Sequence, residues 1–281
     1  MTPEKTVNAG KTVNAAAIQW DVKRGDVAVN LDTAVELLEG AAQGGVELAV
    51  LPEMWASSFM VDGGASVRDA IADAERRITE LSGDLGLIVV GTNYEFAKDD
   101  RRYNRALVLE RGVRLGAYRK MHLFSPQGED RDFAGGERPL VVDTQIGRMG
   151  VAICYDLRFP ELIRHLYSEG AELLVVPAQW PEPRETHWRV LARARAIENQ
   201  WFVVAANRCG VEASLVNDRD IAYPGNSIIV DPAGNVLAAG NGTPGAVLAQ
   251  LELKETAIVR RAIPVGKDRR PDVYARFRSE R

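Results

Sequence analysis

Short apolar runs alternate along the chain with segments in which apolar residues recur every three or four positions. The short runs are typical of buried strands, and the longer spacing is typical of amphipathic helices. In the first third of the chain, this pattern predicts strands at 15–19, 46–51 and 87–90 and helices at 31–42 and 67–81. Asn30 is expected to cap the first helix and Ser66 the second, because both side chains can accept a bond from a free backbone N–H.

The pattern changes after residue 100. Alternation over 105–118, broken at 110–112 by a turn that contains Gly112, predicts an antiparallel hairpin. The second half then returns to the earlier style. Its predicted elements are strands at 140–142, 149–153, 173–176, 201–205, 227–230 and 246–250 and helices at 159–169 and 185–199. No linker rich in Pro, Gly or Ser separates the halves, so the chain is predicted to be one α/β domain with helices packed on mixed sheets.

Composition narrows the class of protein. The chain has 281 residues, of which 46% are hydrophobic and 26% charged, and its formal net charge is −4. These values are ordinary for a globular protein and argue against nucleic-acid binding. No apolar stretch is long enough for a membrane span, and the first residues lack the apolar region of a signal peptide. We therefore expect a cytoplasmic protein whose two cysteines are reduced and which needs neither a membrane nor a nucleic acid as partner.

The domain limits follow from the same pattern. The sequence KTVNA at 5–9 is repeated at once at 11–15, which is too short for a structural repeat. The first copy is expected to be part of a flexible tail over 1–12. The catalytic domain is expected to span 13–265, followed by a C-terminal extension over 266–281.

Three predicted strands each end just before a reactive side chain. Glu53 follows Val50–Leu51, Lys120 follows Tyr118–Arg119, and Cys154 follows an apolar run that ends at Ile153. Strand ends are where sites collect in layered α/β folds. A thiol can attack an amide carbon, a carboxylate can take the thiol proton, and an ammonium can stabilise the oxyanion. A helix that starts at Cys154 would also favour the thiolate.

These residues also have ordinary structural interpretations. Most Glu and Lys side chains are solvated surface charges, and a buried cysteine is often an inert small hydrophobe. Cys209 is the other thiol, but it precedes an irregular polar segment and no helix start. Spacing alone does not show that Glu53, Lys120 and Cys154 meet.

Three segments resemble the signature blocks of a known family. They are LPE at 51–53, YRKMHLF at 118–124 and GVAICYDLRFPE at 150–161. Together they are similar to the blocks of the nitrilase superfamily, the carbon–nitrogen hydrolases, and they occur in the family's order. The resemblance continues to about residue 264. It implies a four-layer α-β-β-α sandwich that usually dimerises, and a catalytic triad of Glu53, Lys120 and Cys154.

The same resemblance suggests supporting groups. The segment EDRDFAGG at 129–136 is similar to the region in which the family often has a second glutamate. Glu129 would then orient Lys120 or bind the leaving amine, whereas the alternative is a solvated loop acid. The backbone N–H of Tyr155, directly after the nucleophile, is the expected second oxyanion donor.

A narrower likeness points to the ω-amidase branch. It lies in PAQWP at 177–181, HW at 187–188 and ARAIENQ at 194–200. That branch hydrolyses the terminal amide of 2-oxoglutaramate, and often of 2-oxosuccinamate, to the dicarboxylate and ammonia. Trp180 would wall the substrate pocket, unless it packs in the core or at a dimer face. A substrate carboxylate needs a cation, and Arg184, Arg158 and Arg208 are all candidates.

Other functions remain open at this point. A nitrile, an N-carbamoyl compound or another linear amide would suit the same residues, and so, less well, would a binding protein without catalysis. The glycines of GNGTPG at 240–245 match a dinucleotide motif, but a strand is predicted after them, so a turn is expected. The histidines show no ligand spacing. We expect neither a metal nor a cofactor.

Overall fold

In the computed structural model, residues 10–60 and 62–276 are described, and they form two six-stranded sheets and a separate two-stranded ribbon. Of the predicted tail over 1–12, residues 1–9 lie outside the described residues. The strands are β1 (Thr12–Gln19), β2 (Leu48–Val50), β3 (Ile88–Phe96), β4 (Arg102–Glu110), β5 (Val113–Arg119), β6 (Leu140–Thr144), β7 (Gly147–Val151), β8 (Leu173–Ala178), β9 (Phe202–Asn207), β10 (Cys209–Ala213), β11 (Asp220–Pro224), β12 (Ile228–Val230), β13 (Val236–Ala239) and β14 (Gly245–Glu252).

The two large sheets are built in the same way. The first has the order β14-β1-β2-β3-β4-β5, and the second has the order β13-β12-β9-β8-β7-β6. In each sheet three strands are parallel, namely β1-β2-β3 and β9-β8-β7, and every other pairing in these sheets is antiparallel. The predicted mixed sheets of a single α/β domain are therefore confirmed.

Helices cover the outer faces of both sheets. The helices of the described residues are α1 (Val27–Gln43), α2 (Arg68–Asp84), α3 (Glu129–Asp132), α4 (Pro160–Ser168), α5 (Glu185–Asn199), α6 (Lys254–Ala262), α7 (Val265–Asp268) and α8 (Pro271–Tyr274). Of these, α1 and α2 pack on the first sheet, and α4 and α5 pack on the second. Side chains of β1 show the layering, because Val13, Ala15 and Ala17 belong to the core that includes the second sheet. Ala16 and Ile18 belong instead to the core under α1 and α2. This alternation along a strand produces the predicted α-β-β-α sandwich.

Both predicted helix caps are wrong. Helix α1 begins four residues early, and its cap is Asp26, whose side chain accepts a bond from the N–H of Val29. Asn30 lies fully buried inside the helix, where its side chain bonds the backbone of Lys23 and the carbonyl of Ala56. It therefore fixes the loop before α1 rather than the helix end.

Ser66 likewise makes no cap, since it lies in a short 3-10 turn before α2. The N-cap of α2 is Val67, which makes no side-chain capping bond. The carboxylate of Asp62 accepts bonds from the N–H groups of Gly64 and Ser66 and so orders the turn before the helix.

The segment after Cys209 is not irregular, as the sequence suggested, but forms the β10–β11 ribbon. Most residues of these two strands, including the apolar Val211, are at least partly exposed. The ribbon therefore lacks the alternation of apolar and polar residues by which a half-buried hairpin is predicted. The predicted turn at 240–245 is confirmed, because 240–244 connect β13 to β14 and no helix follows.

Candidate active site

Two strand ends and the start of a short helix bring Glu53, Lys120 and Glu129 into one buried cluster. Glu53 follows β2 by three residues, and Lys120 directly follows β5. The Lys120 Nζ atom lies 2.8 Å from Glu53 Oε1 and 2.9 and 2.7 Å from the two carboxylate oxygens of Glu129. All three side chains are at most 5% exposed. Glu129, at the start of α3, is therefore a buried partner of Lys120 and not a solvated loop acid.

Cys154 lies at the sharp turn after β7, as the sequence predicts. Its backbone has a φ of 45°, a left-handed conformation that is unusual for a residue other than glycine. A 3-10 turn over Cys154–Arg158 leads into α4. The thiol is within hydrogen-bonding reach of the Glu53 carboxylate, and the Lys120 charge is close enough to act on it. Cys154 and the two predicted partners thus share one site.

Asp156 holds this turn in place. Its fully buried carboxylate accepts bonds from the Tyr118 hydroxyl at 2.8 Å and from the Ile153 N–H at 2.9 Å. It also accepts the His122 N–H at 3.0 Å and lies 2.7 Å from His122 Nδ1. Four contacts from two segments therefore fix the peptide that carries the nucleophile.

Asn104 and Gln179 hold the Glu53 carboxylate in place by hydrogen bonds. The Asn104 amide, in the middle of β4, donates to Glu53 at 2.7 Å and to Glu129 at 3.2 Å. The Gln179 N–H donates to Glu53 Oε2 at 2.9 Å, and its side chain donates to the Glu53 carbonyl. Hydrogen bonds to both of its oxygens therefore fix the orientation of the Glu53 carboxylate.

Burial and neighbouring charges shift the pKa values of Lys120 and Cys154 in the cluster. Burial opposes the charge of Lys120, but the carboxylates of Glu129 and Glu53 outweigh burial and raise the pKa of Lys120 above its usual value. Burial raises the pKa of the Cys154 thiol well above its usual value, and the Glu53 carboxylate adds to this while Lys120 opposes it. The resting sulfur is therefore a thiol, opposite to the thiolate that the sequence suggested. Burial and the Glu53 carboxylate raise the pKa of Cys154 by more than the start of the short 3-10 turn lowers it.

The cluster opens into a cavity. Glu53, Lys120, Glu129 and Cys154 line its floor. Its walls come from three other regions: the loops after β1 and β2 (Arg24, Phe59, Met60), the segment 124–133 (Phe124, Gln127, Asp132, Phe133) and the β10–β11 ribbon (Glu212, Ser214, Leu215, Ile221, Tyr223). A small substrate that enters here reaches the thiol between aromatic and aliphatic walls.

Trp180 does not line this cavity. Its ring is buried, packs against Trp188 at 5.5 Å between centroids, and donates through Nε1 to the Arg184 carbonyl. The guanidinium of Arg158 lies 4.7 Å from the same ring. The core-packing interpretation of Trp180 describes its contacts, whereas the pocket-wall interpretation does not.

The predicted carboxylate-binding arginines also lie elsewhere. Arg208 is fully buried and bonds Asp21, the Val22 carbonyl and Ser58. Arg158 lies beside Trp180, and Arg184 lies over the Phe124 ring at 5.4 Å. Among the described residues, the arginine that does line the cavity is Arg24, which the sequence interpretation did not consider.

The remaining predicted residues lie apart from the cavity or serve it through the backbone. The N–H of Tyr155 is in the first turn of a helical segment, where no acceptor exists within the turn. This N–H group therefore has no hydrogen-bond partner within the turn, and it lies next to Cys154. Cys209 is buried at the start of β10, and burial raises its pKa. In the described parts of the chain, no group of three His, Cys, Asp or Glu side chains is arranged to hold a metal.

A carbon–nitrogen hydrolase family model matches residues 14–261, which include every member of the buried cluster. The chain belongs to the carbon–nitrogen hydrolase family. Its members act on carbon–nitrogen bonds, and the chain is accordingly a hydrolase for non-peptide amides.

Curated relatives in this family are amidases. The chain is 33% identical to a 2-oxoglutaramate amidase of Bacillus subtilis over 265 residues, which cover 92% of this chain and 98% of the relative. It is 36% identical to the deaminated glutathione amidase of Homo sapiens, with 87% of this chain and 79% of the relative covered.

Solved structures agree with the fold. A carbon–nitrogen hydrolase from Helicobacter pylori has a TM-score of 0.89 and 25% identity, and the match covers 96% of this chain and 99% of that one. The Saccharomyces cerevisiae Nit3 protein, a member of branch 10 of the nitrilase superfamily, has a TM-score of 0.79 and 28% identity, with 94% and 100% covered. The predicted sandwich of the nitrilase superfamily is confirmed.

Proposed function

We propose that this carbon–nitrogen hydrolase cleaves the terminal amide of a small linear carboxylate through an acyl-thioester on Cys154. The observation that carries the proposal is the contact of one thiol, one carboxylate and one ammonium at the floor of a cavity. An amide is neutral at its reacting end and yields ammonia, and no further group is needed for this chemistry.

Acylation begins with the thiol proton. Glu53 accepts it, and the sulfur attacks the amide carbon to form a tetrahedral intermediate. The Tyr155 N–H and Lys120 stabilise the oxyanion. Since the carboxylates occupy the Lys120 donors, one of its two contacts with Glu129 must be exchanged for the oxyanion. Glu53 then returns the proton to the nitrogen, ammonia leaves, and the C–N bond is replaced by a thioester.

Deacylation uses the same groups. Glu53 takes a proton from water, and the hydroxide attacks the thioester carbon. The carbon–sulfur bond breaks, the sulfur regains a proton from Glu53, and the acid leaves. One amide and one water thus become one carboxylate and one ammonium. Glu129 keeps Lys120 charged and aligned throughout, which makes it a positioning residue.

The decisive test of the nucleophile uses both cysteines. Cys154→Ala is expected to lower kcat by at least about 10³-fold, because no other thiol lies in the cavity. Cys209→Ala is the matched control, since it removes an equally buried thiol outside the cavity, and it should keep the activity. Mass spectrometry of a quenched reaction should find the acyl group on the peptide that contains Cys154. Full turnover by Cys154→Ala would contradict the mechanism.

Substrate choice requires a panel. Relatives that are 2-oxoglutaramate amidases support a short ω-amide that carries a carboxylate at the other end. Ammonia release should be compared for 2-oxoglutaramate, 2-oxosuccinamate, glutamine, β-ureidopropionate and a short nitrile, with Cys154→Ala as the blank. A rate on glutamine or β-ureidopropionate that equals or exceeds the rate on 2-oxoglutaramate would remove the ω-amidase assignment.

We further propose that the protein is a cytoplasmic homodimer. Solvent-exposed apolar side chains that a second copy would cover are Val190 and Ile197 on α5, Ile258 on α6 and Ile263 directly after α6. Across residues 10–60 and 62–276, none of the helices has both the length and the apolar character to cross a bilayer.

A further inference from the structure

We infer that Arg24 is the residue that binds the carboxylate of the substrate and so determines specificity for acidic amides. The inference deepens the proposed function and rests on it. It replaces the three arginines suggested by the sequence with one that lines the same cavity as Cys154.

The Arg24 guanidinium is only partly used by the fold. Its Nη2 atom donates to the Ala213 carbonyl at 2.7 Å and lies 2.8 Å from Glu212 Oε1. Its Nε atom is buried and has no hydrogen-bond partner among the described residues. The Arg24 side chain as a whole is nevertheless partly exposed and lines the cavity, so a carboxylate there can accept a charge-assisted hydrogen bond from its guanidinium.

A chain of alternating charges holds Arg24 in place. Asp21 pairs with Arg208 at 2.9 Å, Arg208 pairs with Glu212 at 3.2 Å, and Glu212 pairs with Arg24. Exposure rises from the fully buried Arg208 side chain through Glu212, which is 7% exposed, to Arg24, which is 23% exposed. Lys23 also pairs with Asp21, so this group contains three cations against two carboxylates and leaves one positive charge in excess beside the cavity.

The loop that carries Arg24 is fixed by the backbone. The buried Asn30 side chain bonds both the N–H and the carbonyl of Lys23, and the N–H of Gly25 donates to the Ser57 carbonyl. Arg24 is thus held between two anchored neighbours, so its guanidinium is positioned before the substrate arrives.

The cavity needs such a cation. Its floor and walls include Glu53, Glu129, Asp132 and Glu212, against the positive charges of Lys120 and Arg24. Lys120 is already paired with two carboxylates at the floor. An acidic substrate would be repelled unless its carboxylate were placed next to Arg24, away from the thiol. This geometry favours a linear substrate whose amide and carboxylate are at opposite ends.

The test compares two amides of equal length, glutaramate and pentanamide, which differ by the carboxylate. Arg24→Met should lower the ratio of kcat/KM for glutaramate to kcat/KM for pentanamide by at least about tenfold, as expected for a lost charge-assisted hydrogen bond. Arg24→Lys should recover part of the ratio. Arg184→Met, which removes a predicted but non-lining arginine, should leave the ratio at the wild-type value.

Binding provides a second readout that needs no turnover. In the Cys154→Ala background, calorimetry should show that Arg24→Met weakens glutaramate binding by at least about tenfold. An unchanged ratio and unchanged binding in Arg24→Met, with a wild-type enzyme that prefers glutaramate, would overturn the inference and leave the proposed function intact. A wild-type enzyme that prefers pentanamide would instead overturn the proposed function.

Discussion

The Cys154 sulfur depends on its neighbours for reactivity. It is 7% exposed, and burial together with the Glu53 carboxylate raises the pKa of its thiol, while Lys120 acts in the opposite direction. A sulfur held as a thiol needs a base within reach, and Glu53 is oriented for that by bonds from Asn104 and Gln179. Reactivity at this site is therefore a property of the group and not of cysteine alone.

This state of the thiol predicts a pH dependence of alkylation. A raised pKa means that thiolate forms only at higher pH, so the rate of reaction with iodoacetamide should still be rising above pH ~8.5, the pKa of a free thiol. Glu53→Gln removes a charge that raises the Cys154 pKa, and its midpoint should move to lower pH. Peptide mass spectrometry in a Cys209→Ala background would measure this. A wild-type midpoint at or below that of a free thiol would contradict the electrostatic account.

Sequence reasoning selected Glu53, Lys120 and Cys154 as candidates because each follows a strand, where a reactive side chain is unusual, and because three blocks resemble one family. Other residues gave no such signal. Asn104 lies in the middle of a strand, where a polar residue is normally solvent-facing. Arg24 is one of several charged residues in a short loop. Their roles depend on which distant segments they face, and a linear pattern does not contain this information.

At the scale of elements, the turn between β7 and α4 is the part of the fold that the site requires. The left-handed backbone of Cys154 costs about 1–2 kcal/mol for a residue with a Cβ atom. The surrounding bonds to Asp156 must compensate for this strain. The strands and most helices were predictable from their periods, but helix starts were not, since α1 begins one turn earlier, at a cap by Asp26, and α2 begins without a side-chain cap.

We expect Asp156→Ala to lower the free energy of unfolding by about 3 kcal/mol, since it leaves buried donors of Tyr118, Ile153 and His122 without an acceptor. Tyr118→Phe removes one of these bonds and should cost about 1 kcal/mol. Urea unfolding would measure both. Asp143→Ala, at an exposed carboxylate on β6, is the control and should change stability by less than about 0.5 kcal/mol. A similar small loss for Asp156→Ala would show that this carboxylate does not hold the turn.

At the scale of the whole molecule, the two sheets repeat one construction, and the helix layer of the second sheet is the more apolar at its surface. Val190 and Ile197 on α5 are 58% and 50% exposed. The domain limits at residues 13 and 265 remain a prediction, as does the homodimer that family resemblance implies.

The dimer can be tested by sedimentation. The wild-type protein should have twice the 30.8 kDa mass of one chain. The double variant Val190→Glu and Ile197→Glu places charges in the proposed interface and should sediment as a monomer. Val113→Glu changes an equally exposed valine on the β4–β5 hairpin and should remain a dimer. A dimer that survives the double variant would place the interface elsewhere.

The cluster of Glu53, Lys120 and Glu129 holds two acids and one ammonium largely buried at the floor of the cavity. An amide presents an uncharged carbon to this cluster, whereas hydrolysis creates an anion at the same position. The new anion lies next to two acids that share one ammonium, and like-charge repulsion at short range is stronger in a poorly solvated site than in bulk water. We therefore expect the product acid to dissociate readily, so that it inhibits turnover only weakly as it accumulates.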